Sequence, residues 1–206
     1  MRFATIVLLG IVLLGALGSL EAATPAGASQ VAIGFTGGAV WTSASTGICI
    51  WYFPLVGDLN MSSLFAAPLF GAPAADRDHA YFIWVSDFSV QMLPPNKGFN
   101  LLALIPTGDA TIYYSNRPDL RDWSDLTNRS TWGQPVAKLT RKAGILQSVD
   151  GGASDTFTFT AELVSSTTFT LNGKSFNFQD LIPHGMTCFE AGAGGAEAGT
   201  CVAAGQ

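Results

Sequence analysis

The sequence predicts an all-β fold, either an antiparallel β-sandwich or a β-barrel of about eight to ten strands, with two long loops. Many short segments are rich in β-branched and aromatic residues, and Gly, Pro and Asn punctuate them. No long segment has the 3.6-residue apolar period of an amphipathic helix. The choice between a sandwich and a barrel needs the pairing of the strands, so both architectures stay open here.

The N-terminus has the pattern of a secretory signal peptide. Arg2 precedes an apolar run over residues 3–17, and small residues follow the run. We assign residues 1–22 to the signal peptide, residues 23–29 to a short linker and residues 30–206 to one all-β domain. An uncleaved membrane anchor is the alternative, because the apolar run is just long enough to cross a bilayer. After cleavage we expect no membrane span and a secreted, periplasmic or cell-surface location.

The N-terminal half of the domain contains five predicted strands and both long loops. The strands are expected at residues 30–35, 48–56, 80–93, 100–106 and 110–115, and the long loops at residues 57–79 and 116–134. Gly37 and Gly38 are expected to separate the first two strands. The third strand has apolar residues on both faces, which is typical of a central strand. The turn residues 107–109 predict a hairpin between the last two.

The C-terminal third gives the clearest strand signals. Residues 136–149 predict a strand with a bend at Gly144, and residues 150–155 predict the turn after it. Residues 156–163 then alternate with period two, which directs one set of side chains to the core: Phe157, Phe159, Ala161 and Leu163. The pair Asn172-Gly173 favours a tight hairpin turn between a segment with Phe169 and Leu171 and a segment with Phe176 and Phe178.

The three cysteines suggest one disulfide. Cys188 and Cys201 flank a Gly/Ala-rich segment that has few side chains to hold it in place, so we predict a disulfide-closed C-terminal loop. Export would supply the oxidising environment that the bond requires. Cys49 lies in an apolar run and is expected to be a buried thiol. A different pairing or a reactive thiol is the alternative.

Two histidines and two aspartates are the weak candidates for catalysis. They are Asp76, Asp78, His79 and His184, which could form an acid–base pair if the first long loop meets the C-terminal segment. The alternative is a solvated turn for the first three and a backbone-bonded imidazole for His184. We find no spacing of Cys, His or carboxylates typical of a metal site and no cofactor-binding motif.

Trp123, Asp125, Asn128 and Trp132 are the weak candidates for ligand binding. Two indoles on one loop can stack on sugar rings while Asp and Asn bind hydroxyl groups. The alternative is that both indoles close the end of the sandwich or barrel, each N–H bonded to a loop carbonyl. The possible partners are therefore a carbohydrate or, inside a barrel, a small apolar ligand.

Charge and motif content narrow the function classes. The net charge is −5 and the cations are scattered, which argues against nucleic acid as a partner. We expect an exported, non-enzymatic all-β domain with a binding role or a structural role at the cell surface. The alternatives are a small secreted barrel enzyme, a hydrolase or a cyclase-like isomerase that uses the Asp and His residues, and a lipocalin-like carrier of a small apolar ligand. The sequence does not define the oligomeric state.

Overall fold

A computed structural model describes residues 32–53, 80–92, 99–104, 109–149, 154–171, 173–193 and 196–204. Most of this part of the chain is strand. The strands are β1 (Ala32–Trp41), β2 (Thr46–Phe53), β3 (Phe82–Met92), β4 (Phe99–Leu104), β5 (Asp109–Tyr114), β6 (Gln134–Val149), β7 (Ser154–Ser166), β8 (Phe169–Leu171), β9 (Lys174–Phe176), β10 (Met186–Ala193) and β11 (Ala196–Ala203). One helical turn, α1 (Phe178–Leu181), lies between β9 and β10.

Eight of the strands close into an antiparallel barrel. The order of neighbours is β2, β1, β11, β10, β7, β6, β5 and β3, and β3 pairs again with β2. Closure leaves no free edge in this circuit, so the strands bury one face around a common interior. The all-β prediction is confirmed, and of the two architectures that the sequence left open the barrel is the one formed.

The hairpin predicted at residues 107–109 is wrong. β4 and β5 do not pair with each other, because each lies between β3 and β6 and runs antiparallel to both. β4 pairs with the last residues of β3, and β5 pairs with its first residues. The 16-residue β6 is long enough to pair with both short strands in succession. β4 and β5 therefore run in the same direction, whereas a hairpin requires opposite directions.

Two further predictions about glycine-rich segments are wrong. Gly37 and Gly38 do not separate the first strands, because β1 runs through both and pairs there with β2. A Cβ atom at Gly37 would collide with the backbone oxygen of Ile50, so glycine permits this close pairing. The segment between the two C-terminal cysteines is likewise the hairpin of β10 and β11. Pairing with β7 on one side and β1 on the other orders these small residues.

One end of the barrel is covered by the elements between β7 and β10, and we call it the plugged end. Phe169 of β8, Phe178 of α1 and the following Ile182 are buried there. The Phe169 and Phe178 rings contact Phe82 of β3, with centroids 5.3 and 6.4 Å away. The predicted hairpin forms as β8 and β9, and Gly173 in its turn has φ of +77°. Asn172 lies outside the described residues.

We call the opposite end of the barrel the open end. It is where β1 leads into β2 and where β10 leads into β11. The side chains between the two ends follow the predicted alternation of β7, since Phe157, Phe159, Ala161 and Leu163 are buried. Trp51 and Trp84 fill the middle of the interior, with ring centroids 5.0 Å apart.

The connection between β5 and β6 packs on the outer wall of the barrel. Trp132 is fully buried there, in a second apolar cluster with Ile48, Ile50 and Val85. The Arg121 guanidinium ties this connection to the wall by donating to the carbonyl oxygens of Tyr81 and Trp132, at 2.9 and 3.1 Å. Within the described ranges, no helix has the length and apolar character needed to cross a membrane.

Candidate functional site

Polar side chains lie inside the barrel near its open end. Strand alternation directs them inward, because each lies two residues from a buried apolar neighbour on its own strand. The fully or almost fully buried members are Cys49 of β2, Ser86 of β3, Arg141 of β6 and Glu190 of β10. Glu197 of β11 is partly buried beside them. Buried charged groups are rare unless they are paired, so this interior is unusual for a barrel of this size.

Arg141 is the deepest charge in this group, and 1% of its surface is exposed. A register shift in β6 between Arg141 and Ala143 interrupts the pairing with β7, close to the predicted bend at Gly144. The guanidinium donates to the Ser86 hydroxyl at 2.5 Å and lies 5.7 and 5.5 Å from the ring centroids of Phe157 and Phe159. Burial lowers the pKa of Arg141, but arginine stays charged in proteins.

Glu190 and Glu197 are neighbouring carboxyl groups inside the barrel. Glu190 is 6% exposed, and neither of its carboxyl oxygens has a hydrogen bond of normal geometry. Burial is the main cause that raises the pKa of Glu190 to about 11, and the neighbouring Glu197 adds to the increase. The Trp51 indole lowers this pKa. Burial also raises the pKa of Glu197, as does the Asp155 carboxyl. Two negative charges at neighbouring buried positions repel each other, so at least one of the two carboxyl groups keeps its proton at neutral pH.

A small cavity of about 50 Å³ opens beside this pair at the open end. Its lining combines apolar and acidic side chains and contains Ala39, Trp41, Cys49, Phe88, Leu146, Asp155, Phe157 and Glu197. Trp41 and Phe88 meet edge to face, with ring centroids 5.0 Å apart. A Cβ at Gly47 would overlap the Phe88 ring, so the glycine lets this ring lie across the cavity wall. Glu197 lies opposite Gly192 of β10, and Glu190 lies two residues further from the open end on the same strand as Gly192.

The cysteines agree with the sequence analysis. Cys188 and Cys201 are directly opposed on β10 and β11 and form the predicted disulfide inside the barrel. Cys49 is a free, buried thiol, also as predicted. Burial, followed by the Glu197 charge, raises the pKa of Cys49 well above its ordinary value. The thiol is therefore not an activated nucleophile, which requires a lowered pKa.

Of the four candidate acid–base residues from the sequence, the structure describes only His184, which does not line the cavity. Asp76, Asp78 and His79 lie outside the described residues, so their meeting with His184 stays a prediction. His184 is exposed between α1 and β10, at the plugged end. It is therefore at the opposite end of the barrel from Glu197.

Trp123 and Trp132 do not form an exposed stacking platform. Trp132 is fully buried, and the two rings are tilted by 38° with centroids 5.8 Å apart. Trp132 donates its indole N–H to the Asp122 carbonyl at 3.3 Å, as the structural alternative predicted, but the pair covers the outer wall rather than a barrel end. Asp125 and Asn128 are exposed, and their side chains accept bonds from Thr127 and Ser130 in local turns.

The sequence analysis missed Arg141, Glu190, Glu197 and Trp41. One signal was present: Glu190 lies two residues after Cys188 and thus shares its inward face if the segment is a strand. Interpreting that segment as a loop hid the relation. Among the residues that the structure describes, no three His, Cys, Asp or Glu side chains converge as metal ligands.

Comparisons of this chain with protein-family models, with curated proteins and with solved structures give no match. The class that the fold and the site define is an eight-stranded antiparallel barrel with a buried disulfide and an acidic cavity at one end. In chemical terms, a carboxyl group kept neutral can donate a hydrogen bond or a proton, and an ionised one can pair with a cation.

Proposed function

We propose that this chain is an exported binding protein whose barrel accepts part of a small ligand through the open end. The observation that carries the proposal is the cavity, where aromatic rings and two carboxyl groups converge beside a buried, imperfectly hydrogen-bonded Glu190. Buried polar groups without good partners cost stability, so a fold that keeps them has a reason other than packing.

Export is part of this proposal, and two features support it. The N-terminal apolar run has the pattern of a signal peptide. The chain also contains a disulfide, and disulfides form and persist mainly in oxidising compartments outside the cytoplasm. The experiment is to determine the N-terminal residue of the protein recovered from outside the cytoplasm. A start near residue 23 supports the proposal, whereas a retained Met1 on a cytoplasmic protein contradicts it.

The binding role is tested with a fragment library observed by NMR. Ala39 lines the cavity, so Ala39→Trp would fill it, whereas Ala191→Trp adds the same indole to the exposed face of β10. Fragments that bind the wild type and Ala191→Trp but not Ala39→Trp support the proposal. Fragment binding that Ala39→Trp leaves unchanged, or no fragment binding to the wild type at all, contradicts it. Thermal melting of both variants verifies that they are folded.

The interior does not favour a lipocalin-like carrier. Such a carrier encloses its ligand in a cavity of roughly 300–1,000 Å³. The cavity here is about 50 Å³, and the middle of the barrel is filled by Trp51, Trp84 and Phe159. A ligand would therefore place only one end inside the barrel and leave the rest near the rim.

A barrel enzyme that moves a proton is the second candidate, and the coupled Glu190–Glu197 pair favours it. Paired carboxyl groups with separated proton affinities are the usual arrangement for acid–base work. The test is to incubate any fragment that binds at the cavity in D₂O and to follow its C–H signals by NMR. Exchange that the wild type catalyses and Glu190→Gln abolishes supports an enzyme, whereas equal exchange with and without protein argues against one.

A further inference from the structure

The charges and the rings of the cavity define the chemical class of its ligand, an inference that rests on the proposed binding function. We propose that the cavity holds the ammonium head of a small organic cation, between the Glu197 and Asp155 carboxylates and the rings of Trp41, Phe88 and Phe157. Aromatic faces carry partial negative charge, so rings and carboxylates together attract a cation.

The distribution of charge inside the barrel favours a cation over an anion. Asp155 and Glu197 line the cavity, and none of the other described residues that line it is a Lys or an Arg. Arg141 is the nearest buried cation, but it lies deeper, is bonded to Ser86 and lies over the rings of Phe157 and Phe159. An anionic head at the cavity would have to approach the two carboxyl groups without a cation between them.

The size of the cavity points to a head group rather than a whole ligand. Roughly 10–15 Å³ of such space holds one water molecule, so a cavity of about 50 Å³ accommodates a group of a few heavy atoms, such as an ammonium group and the carbon next to it. The remainder of the ligand would lie against Trp41, whose side chain is 45% exposed at the rim. A primary alkylammonium ion with a short apolar chain fits both conditions.

Binding of such a cation is expected to release a proton. The groups that face Glu197 are Asp155 of β7, Glu190 of β10, and Cys49 and Trp51 of β2, with Arg141 of β6 behind them. Burial and Asp155 raise the pKa of Glu197, which favours its protonated form in the free protein. An ammonium ion favours the ionised carboxylate, and the proton leaves to the buffer. Affinity should therefore increase as pH rises.

The test uses the purified protein and three probes that share a chain length: n-butylammonium, n-butanol and n-butyrate. Calorimetry in two buffers of different ionisation enthalpy gives both the dissociation constant and the number of protons released. Glu197→Gln removes one of the two carboxyl groups that line the cavity and leaves Asp155. Glu162→Gln is the matched control, because Glu162 is an exposed carboxylate on the outer face of β7 that pairs with Lys142.

We expect n-butylammonium to bind more tightly than both other probes. Glu197→Gln should weaken it by about tenfold or more, as for the loss of one charged hydrogen bond, and should abolish proton release. Glu162→Gln should leave both quantities unchanged. The wild-type affinity should rise with pH as long as the alkylammonium stays charged, which holds below about pH 10.

Failure of the cation proposal and failure of the proposed binding function would give different results. If n-butanol or n-butyrate binds as tightly as n-butylammonium and Ala39→Trp blocks it, the cavity is a ligand site but the cation is wrong. If n-butylammonium binds equally to wild type and Glu197→Gln, the cation inference is also overturned. If none of the three probes binds at about 10 mM, a concentration far above the typical range for a specific site, and the fragment library also gives no binder, both proposals fail.

Discussion

The two ends of the barrel differ in the side chains that occupy the interior, which are apolar at the plugged end and partly acidic at the open end. At the plugged end, Phe169, Phe178 and Ile182 fill the interior with apolar side chains from β8, α1 and the residue after it. At the open end, the corresponding inward positions carry Glu190 and Glu197, and a cavity remains.

The two ends therefore differ in how much their side chains contribute to the stability of the barrel. Aromatic rings that pack closely contribute favourable burial and cost no desolvation of charge. Buried carboxyl groups carry a desolvation cost that only a partner or a ligand can offset. We therefore infer that the plugged end contributes most to folding and that the open end serves binding.

We expect the largest effect on stability when one phenylalanine is replaced at each end, Phe178 at the plugged end and Phe88 at the open end. Phe178→Ala should lower the free energy of unfolding by about 3–5 kcal/mol, because the fully buried ring leaves a cavity that cannot collapse. Phe88→Ala should cost less than about half as much, since its ring borders space that is already open. Urea unfolding with a constant slope measures both. Equal losses would break the proposed contrast between the ends.

The second prediction concerns the wall between the ends, where the disulfide joins β10 to β11. Replacing both Cys188 and Cys201 by alanine should lower the free energy of unfolding by about 3 kcal/mol, because the unfolded chain is no longer constrained across a separation of 13 residues. Cys49→Ala, at a buried thiol without a bond, is the control and should cost about 1 kcal/mol or less. Urea unfolding of the three proteins would show whether the bond stabilises the barrel at all.

The third prediction is a pH dependence that belongs to the open end. The pKa of Glu190 is raised from 4.5 to about 11, so the folded state resists ionisation that the unfolded state undergoes freely. Stability should therefore fall as pH rises from about 5 to about 8, by about 1–3 kcal/mol.

Glu190→Gln, which cannot ionise, tests the source of this pH dependence. The variant should flatten the decline and be more stable than the wild type at about pH 8. Chemical unfolding across that range gives the slopes, with Glu162→Gln as a control that retains the wild-type decline. A decline that persists in Glu190→Gln would assign it to another group.

The smallest expected effect is at the start of α1, which helps to close the plugged end. The Asn177 side chain accepts a bond from the Gln179 backbone N–H at 2.8 Å and another from the Ser166 hydroxyl. Asn177→Ala should cost about 1 kcal/mol, the usual value for a lost helix cap. The comparison is Asn128→Ala, which removes a similar cap from the 3₁₀ turn Arg129–Thr131 in the connection on the outer wall. Thermal unfolding should show a larger decrease for Asn177→Ala, and the reverse order would argue against the importance of the plug.

Local patterns predicted the parts of the molecule that depend on neighbours in sequence. The alternation from Thr156 to Leu163 gave the inward face of β7, and Asn172-Gly173 gave the hairpin of β8 and β9. The disulfide also followed from composition. The same reasoning failed at residues 107–109, because a turn pattern does not fix which strands pair on either side of it. It also failed between Cys188 and Cys201, where small residues form strands that pair with neighbours on both sides.

The sequence by itself determined that this chain forms strands, which side chains of β7 face inward and which cysteines pair. Only the tertiary structure decided that the strands close into a barrel and that β4 and β5 share one position between β3 and β6. It also decided that Glu190, Glu197 and Asp155 meet at one end. The physical reason is that strand pairing and register join residues far apart in the chain, and no local preference encodes which strands become neighbours.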